Sequence, residues 1–189
     1  MSTYYLTSQL PSLDAIGDST PLPITEERFF ELLERFLGKK ALDEARRLTL
    51  VPSREGEESS SALISAWNDA ERKLRLALFK ARAEKLKKPF DAGDVILPIE
   101  LTKVAFAATE MRDPLEAEKY LNAYRLEFLE SLRPMDSFSE DFLFYYGLKL
   151  KLITRLRQFD TELGGSAYRN IYNSVLNGDG LEEIGRAHV

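Results

Sequence analysis

The feature that most constrains the fold is a long one-sided apolar stripe in the middle of the chain. Between residues 61 and 87, apolar side chains recur at spacings of four, three, four, three and four. The apolar stripe comprises Leu63, Trp67, Ala70, Leu74, Ala77 and Ala81. This spacing predicts an α-helix with one buried face, and at 1.5 Å per residue the helix would be roughly 40 Å long. Alanine at three of the positions would let a second long helix approach closely, so we expect antiparallel helix packing.

The segment before the stripe is predicted to hold an extended piece, two helices and a loop. Residues 4–10 are rich in aromatic and strand-favouring side chains, so we predict a short extended segment there. Thr25 is a good N-cap for an amphipathic helix, and Gly38 is a residue type that commonly closes helices. A second helix is predicted over residues 41–48. The polar residues 52–61 predict a flexible loop.

The segment after the stripe carries further helix signals. Pro98 can occupy the first turn of a helix that runs to about Met111. The sequence Asp113-Pro114-Leu115-Glu116 is a strong start signal, because Asp113 can cap and Pro114 suits the first helical position. The buried face of this helix is predicted to comprise Ala117, Leu121, Tyr124, Phe128 and Leu132.

The C-terminal part is predicted to continue as helix. Ser137 with Glu140 predicts the start of an apolar helix over residues 142–159, and a turn at 161–165 precedes a last helix over 166–177. These segments together predict an all-α fold, a bundle of about seven helices with two long antiparallel helices and a short extended N-terminal segment. Residues 1–182 are predicted to form a single helical domain.

The last seven residues, 183–189, have the sequence Glu-Ile-Gly-Arg-Ala-His-Val. This is the translation of a common short-read sequencing adapter, GAG ATC GGA AGA GCA CAC GTC. We therefore interpret 183–189 as an adapter artefact of an assembled environmental read, with a natural tail as the alternative. This interpretation predicts that the native chain continues differently after residue 182 and that His188, the only histidine, is not native.

Composition and motifs favour a non-enzymatic protein. Hydrophobic residues make up 44% and charged residues 30% of the chain, as in folded globular proteins. Cysteine is absent, which excludes disulfides, thiolate metal sites and cysteine nucleophiles. No phosphate-binding loop motif occurs. The densest carboxylate set is Glu110, Asp113, Glu116 and Glu118, and helix capping and solvation explain it better than acid–base catalysis. We expect no catalytic residue, cofactor or metal.

The N-terminus lacks a signal-peptide pattern, and no stretch reaches the ~20 apolar residues that cross a bilayer. The sequence therefore predicts a cytoplasmic protein that would reach a membrane only through a partner.

The most distinctive polar feature is a basic cluster inside an acidic protein. The net charge is −5, yet residues 71–88 hold eight Lys or Arg against two Glu, a local charge of +6. We name these eight residues the basic cluster: Arg72, Lys73, Arg75, Lys80, Arg82, Lys85, Lys87 and Lys88. They are candidates for contact with an acidic partner protein or with nucleic acid, and a solvated helix face is the alternative. The acidic remainder of the chain opposes nucleic acid.

Two other side chains fall at informative positions. Lys149 lies between Tyr145 and Leu152 at core-like spacing, so we expect its ammonium to reach solvent or find a carboxylate. Trp67 is interpreted as a core residue, with ligand stacking as the alternative.

Two stretches resemble a known family. Residues 4–11, Tyr-Tyr-Leu-Thr-Ser-Gln-Leu-Pro, resemble the start of the bacterial domain of unknown function 2764 family. Residues 112–119 and 124–129 resemble its central helix. The resemblance implies an association with V-type ATP synthase subunits, in the position of the helical subunit that couples the central stalk to the rotor ring. It implies no functional residues.

Two functions are therefore predicted. The first is a non-catalytic structural or adaptor subunit, or accessory factor, of a bacterial V-type ATP synthase that contacts stalk or rotor subunits. The second is a nucleic-acid-binding helical module that uses residues 72–88.

Overall fold

The computed structural model describes residues 2–14, 16, 21–53, 59–90 and 95–157. The described residues form seven α-helices and no strand, which confirms the predicted all-α class. The helices are α1 Ser2–Gln9, α2 Glu26–Phe36, α3 Lys39–Arg46, α4 Ala62–Lys85, α5 Ile99–Glu110, α6 Pro114–Ser131 and α7 Glu140–Arg157. The predicted turn at 161–165, the helix over 166–177 and the interpreted tail lie outside the described residues.

The chain divides into two compact units, Met1–Thr154 and Arg155–Val189. The helices and cores described below belong to the first unit, apart from the last turn of α7. The single domain over 1–182 and the two long antiparallel helices stay predictions.

The predicted extended N-terminal segment is wrong, because residues 2–9 form α1. Leu6 is fully buried, whereas Tyr4 and Tyr5 are 55% and 60% exposed. A helix satisfies its backbone hydrogen bonds internally, whereas the described residues offer no neighbouring strand with which an extended segment could pair. Packing therefore overrides the strand preference of the tyrosines.

Local capping signals largely place the helix starts. Thr25 caps α2 by accepting a hydrogen bond from the Arg28 N–H, and Asp113 caps α6 through the Leu115 N–H, as predicted. Gly38 does not close α2: the helix ends at Phe36, and Gly38 is the N-cap of α3 with an extended backbone. At α7 the side chain of Ser139, not Ser137, accepts the first free N–H.

Apolar side chains form two clusters, which we call core 1 and core 2. Core 1 joins α1, α2, α3 and α7 to the first turns of α4 and the end of α6. Core 2 joins the second half of α4 to α5 and the start of α6. The predicted apolar stripe is confirmed, since all its members are buried except Ala70, which is half-buried. Trp67 is 2% exposed in core 1 and donates its indole N–H to the Thr49 carbonyl at 3.1 Å.

Core 1 depends on one close approach to α7. A Cβ on Gly147 would lie 2.9 Å from Leu48 Cδ1 and 3.0 Å from Phe29 Cε1. Absence of a side chain at this position thus lets α2 and the segment that follows α3 pack directly on the α7 backbone. The Phe29 ring also contacts the Tyr146 ring, with centroids 5.3 Å apart.

The predicted buried face of α6 is displaced around the helix. Of the predicted residues only Leu121 is fully buried, and the other four are half-buried. The fully buried set is Leu121, Asn122, Arg125 and Leu129. The physical reason is an ion pair between α6 and α4, which turns Arg125 inward.

Candidate partner-binding surface

The basic cluster lies on α4 and on the three residues that follow it. Ser61 begins this helix by accepting a hydrogen bond from the Ile64 N–H, and its hydroxyl donates to Asp141 at 2.6 Å. The helix ends where Lys87 adopts a left-handed φ of 52° and the Lys88 N–H bonds back to the Ala83 carbonyl. Hydrogen bonds thus fix both ends of α4, and the positions of its side chains are well defined.

The basic cluster does not occupy one face of α4. Successive residues of an α-helix are rotated by about 100°, so Lys73 and Arg82, nine positions apart, lie on opposite sides. Three members are engaged within the chain. Lys73 pairs with Asp69 at 2.7 Å, Arg75 contacts Glu71 and the Leu50 carbonyl at 3.2 Å each, and Lys85 donates to the Thr109 carbonyl at 2.5 Å. These three cations of the basic cluster therefore already interact with groups of the chain itself.

The other five members form no ion pair or side-chain hydrogen bond with the described part of the chain. They are Arg72, Lys80, Arg82, Lys87 and Lys88. Arg72 and Lys80 are half-buried and the other three are exposed. Positive charge of this kind is available to neutralise carboxylates or phosphates on another molecule.

Large apolar side chains are exposed in the same part of the molecule. They are Phe79 at 62%, Leu86 at 65%, Val95 at 45%, Ile96 at 88% and Ile99 at 75%. The Phe79 ring also contacts Phe90, with centroids 5.5 Å apart. Exposed apolar side chains among charged ones are typical of protein interaction sites. The sequence predictions did not include this feature, because Phe79 and Leu86 lie off the apolar stripe.

A buried polar layer fixes α4 against α6 next to this surface. Arg125 donates to both oxygens of Glu71, each at 2.9 Å, and both residues are at most 5% exposed. The Asn122 carbonyl oxygen lies 3.4 Å from Arg125, while its amide nitrogen is buried without a partner in the described residues. The layer separates core 1 from core 2. Two positions signal it in the sequence: Glu71 and Arg125 each stand at helical spacing between apolar residues.

A second ionic cluster lies at the edge of core 1. The Lys149 ammonium donates to Asp14 and Glu130 at 2.6 Å each. This confirms the prediction that it would reach a carboxylate. The Tyr145 hydroxyl also donates to Glu130 at 2.6 Å. These contacts hold the segment before α2 and the end of α6 against α7.

The pKa values in this second cluster follow from its hydrogen bonds. The bond from Lys149 lowers the pKa of Asp14, against a smaller effect of burial. Burial raises the pKa of Glu130, but bonds from Lys149 and Tyr145 outweigh it and the pKa falls. Burial lowers the pKa of Lys149, but its three partners raise it overall. Burial and Glu130 raise the pKa of Tyr145 to about 12. The carboxylates are therefore held ionised and the lysine protonated, as in a structural ionic contact.

Comparisons with known proteins give no relative for this chain: no family model, no curated protein and no solved structure matches it. The family resemblance of residues 4–11 and 112–129 therefore stays a prediction. Within the described residues, no three or more His, Asp or Glu side chains gather at a position that could hold a metal ion. None of the described helices has the length and apolar character needed to cross a membrane.

Proposed function

We propose that the protein is a non-catalytic helical adaptor subunit, or accessory factor, of a bacterial V-type ATP synthase. In this proposal it lies in the cytoplasm, contacts stalk or rotor subunits as a coupling element between them, and is peripheral to the inner membrane only through them. The resemblance of residues 4–11 and 112–129 motivates the choice of complex.

The observation that carries the adaptor role is the surface at the second half of α4. Cations without partners among the described residues lie there beside exposed apolar side chains, on a helix fixed at both ends. An apolar contact supplies area and surrounding cations supply selectivity for an acidic partner, a combination typical of protein interfaces.

We further propose that the two long helices of the bundle are α4 and α6 and that they run antiparallel. The Glu71–Arg125 pair and the packing of Leu121 against the second half of α4 support this arrangement. An antiparallel pair would give the adaptor a stiff body between its two ends.

Site-specific photo-crosslinking tests the adaptor role, because the chain has no cysteine of its own. Lys87→Cys labelled with benzophenone would be mixed with the purified central-stalk and rotor subunits of a bacterial V-type ATP synthase. We expect a crosslinked product from position 87. The matched control is Ser65→Cys, an exposed position near the other end of α4, from which no product is expected.

A protein that remains monomeric with all these subunits at micromolar concentration, and gives no crosslink, would rule the proposal out. Strongly salt-dependent binding to single-stranded or duplex DNA, lost when Arg82 and Lys87 are replaced by Glu, would instead favour the nucleic-acid module over the adaptor.

A further inference from the structure

Five side chains of α4 form a second stripe, separate from the apolar stripe. They recur at spacings of three, four, three and four, and we name them the arginine stripe: Arg72, Arg75, Phe79, Arg82 and Leu86. At about 100° per residue these positions share one face of the helix, over a length of roughly 21 Å. Leu86 still belongs to this face because the backbone at this C-cap stays helical.

The arginine stripe is open to solvent along most of its length. Phe79 and Leu86 are 62% and 65% exposed, and Arg82 is exposed as well. Arg75 is held in place by Glu71 and the Leu50 carbonyl, yet its side chain keeps 38% of its surface accessible. The apolar stripe already anchors the opposite side of α4 in the two cores, and neither Phe79, whose ring contacts Phe90, nor Leu86 belongs to either core.

The order of arginine and apolar side chains along the arginine stripe indicates which kind of partner surface would match it. A spacing of three and four residues is the spacing at which two α-helices pack along a shared seam. All three cations in the stripe are arginine. Arg75 is already bonded to Glu71 and the Leu50 carbonyl, so Arg72 and Arg82 are the two whose planar fork can pair with a carboxylate through two hydrogen bonds. A helix that places carboxylates opposite the arginines and apolar side chains opposite Phe79 and Leu86 would satisfy every position.

We infer that the arginine stripe is the docking seam for an α-helix of a partner protein whose facing residues alternate acidic and apolar side chains. This inference rests on the proposed adaptor function and names the partner chemistry for it. A second copy of the chain does not fit, because a two-fold contact centred on Phe79 would bring Arg75 against Arg82. A lipid surface does not fit either, because two apolar side chains give too little area to bury.

Binding of a designed peptide to the full-length protein tests the inference. The probe is a labelled helical peptide with Glu and Leu alternating at three- and four-residue spacing, and the peptide control has the same composition with the spacing broken. Fluorescence anisotropy gives Kd at low salt. We expect Arg82→Glu to raise Kd by about tenfold or more and Leu86→Ala by about threefold.

Two matched variants control for charge and apolar area. Lys40→Glu makes the same charge change at an exposed position on α3, outside the basic cluster. Met135→Ala removes exposed apolar area between α6 and α7. Both are expected to keep Kd within about twofold of the parent protein. All four positions are exposed and, apart from helix backbone bonds, carry no hydrogen bond to the described residues, so the variants are expected to fold.

Each outcome decides a different question. Equal weakening by Lys40→Glu and Arg82→Glu would show general charge attraction and overturn the seam. So would stripe-dependent binding of duplex DNA or of phosphatidylserine vesicles in preference to the peptide. If the Arg82→Glu variant still captures stalk subunits, the adaptor function stands and the seam is wrong. If the peptide binds through the stripe but no stalk subunit is captured, the seam stands and the proposed complex is wrong.

Discussion

Core 1 and core 2 lie along the same two helices, α4 and α6, but they are filled by different side chains. Among the described residues, alanine makes up half of the buried members of core 2 and two of the twenty in core 1. Core 1 is built mainly from leucine and aromatic rings, including Trp67, Phe29 and Tyr146. Hydrophobic stabilisation scales with buried apolar area, at about 25 cal/mol per Å². On average, a residue of core 1 therefore contributes more stabilisation than a residue of core 2.

The difference assigns the two regions different tasks. Small side chains let α5 pack closely on α4, and the Lys85–Thr109 contact joins the C-terminal ends of these helices. Close packing makes this region stiff, although it buries little area. The arginine stripe stands on α4 at the level of core 2. In this view core 1 supplies stability, the Glu71–Arg125 layer sets the register, and core 2 supports the proposed partner-binding surface.

Breaking the polar layer is expected to have the largest effect on this arrangement. Glu71→Ala would leave the Arg125 guanidinium buried without its carboxylate, which costs about 3–5 kcal/mol of unfolding free energy. Urea unfolding measures the loss, followed by circular dichroism for the whole chain and by fluorescence of Trp67, the single tryptophan, for core 1. The exposed pair gives the control, since Asp69→Ala is expected to change stability by less than about 0.5 kcal/mol.

The double variant Glu71→Leu with Arg125→Met sharpens the same test. It removes both charges and fills the space with apolar side chains, so we expect most of the lost stability to return. A double variant as unstable as Glu71→Ala would show that the layer sets helix register, and that charge balance alone does not explain its effect.

Truncation in core 1 is expected to rank next. Leu148 is fully buried, and Leu148→Ala removes methyl groups and leaves a cavity, for a loss of about 2–5 kcal/mol. The denaturation midpoint in urea measures this loss. Leu86→Ala, the same substitution at a 65% exposed position, is expected to leave the midpoint almost unchanged. Similar losses at both positions would contradict the role assigned to core 1.

Enlargement in core 2 is expected to have a smaller effect. Ala105 is fully buried on α5, and Ala105→Leu would force α4 and α5 apart at a cost of about 1–3 kcal/mol. Thermal unfolding gives the size of the effect, with Ala123→Leu on the exposed side of α6 as a near-neutral control. Increased stability of Ala105→Leu would mean that core 2 is loosely packed, and it would remove the contrast between the two cores.

The sequence predicts those parts of the fold that depend on local chemistry. Thr25 and Asp113 act on N–H groups two or three residues away, and the apolar stripe depends only on helical spacing. The orientation of α6 is different, because it follows from a contact between Arg125 and Glu71 across 54 positions. The spacing of residues within one helix does not predict which charged residue of another helix will pair with them.

The candidate surface was predictable only in part. The count of cations between residues 71 and 88 identified α4 as the basic helix, but three of the eight are engaged inside the chain. Which cations lack partners depends on neighbours such as the Leu50 and Thr109 carbonyls, which fold against α4 from other segments. The prediction of an extended N-terminal segment fails for a related reason. Leu6 is buried by packing against α2, and residues 4–10 alone carry no signal of that contact.

The smallest expected effect is a pH dependence from the Lys149 cluster, at the exposed edge of core 1. The folded-state pKa values of Asp14 and Glu130 lie below their ordinary values of 3.8 and 4.5. Groups with lowered pKa values bind fewer protons when folded, so their stabilisation is complete above about pH 5 and declines as pH falls through the folded pKa values. The raised pKa of Lys149 acts only above its ordinary value of 10.5.

Lys149→Met isolates this contribution, because it removes the cation while leaving both carboxylates near solvent. Asp14 and Glu130 keep 56% and 41% of their side-chain surface exposed, so screening limits the effect to less than about 1 kcal/mol. Urea midpoints measured between pH 7 and pH 3 should therefore fall less steeply for Lys149→Met than for the parent protein. Parallel curves would show that the cluster contributes no pH-dependent stability. The contrast would then be complete, with the buried Glu71–Arg125 pair as the ionic contact on which the fold depends.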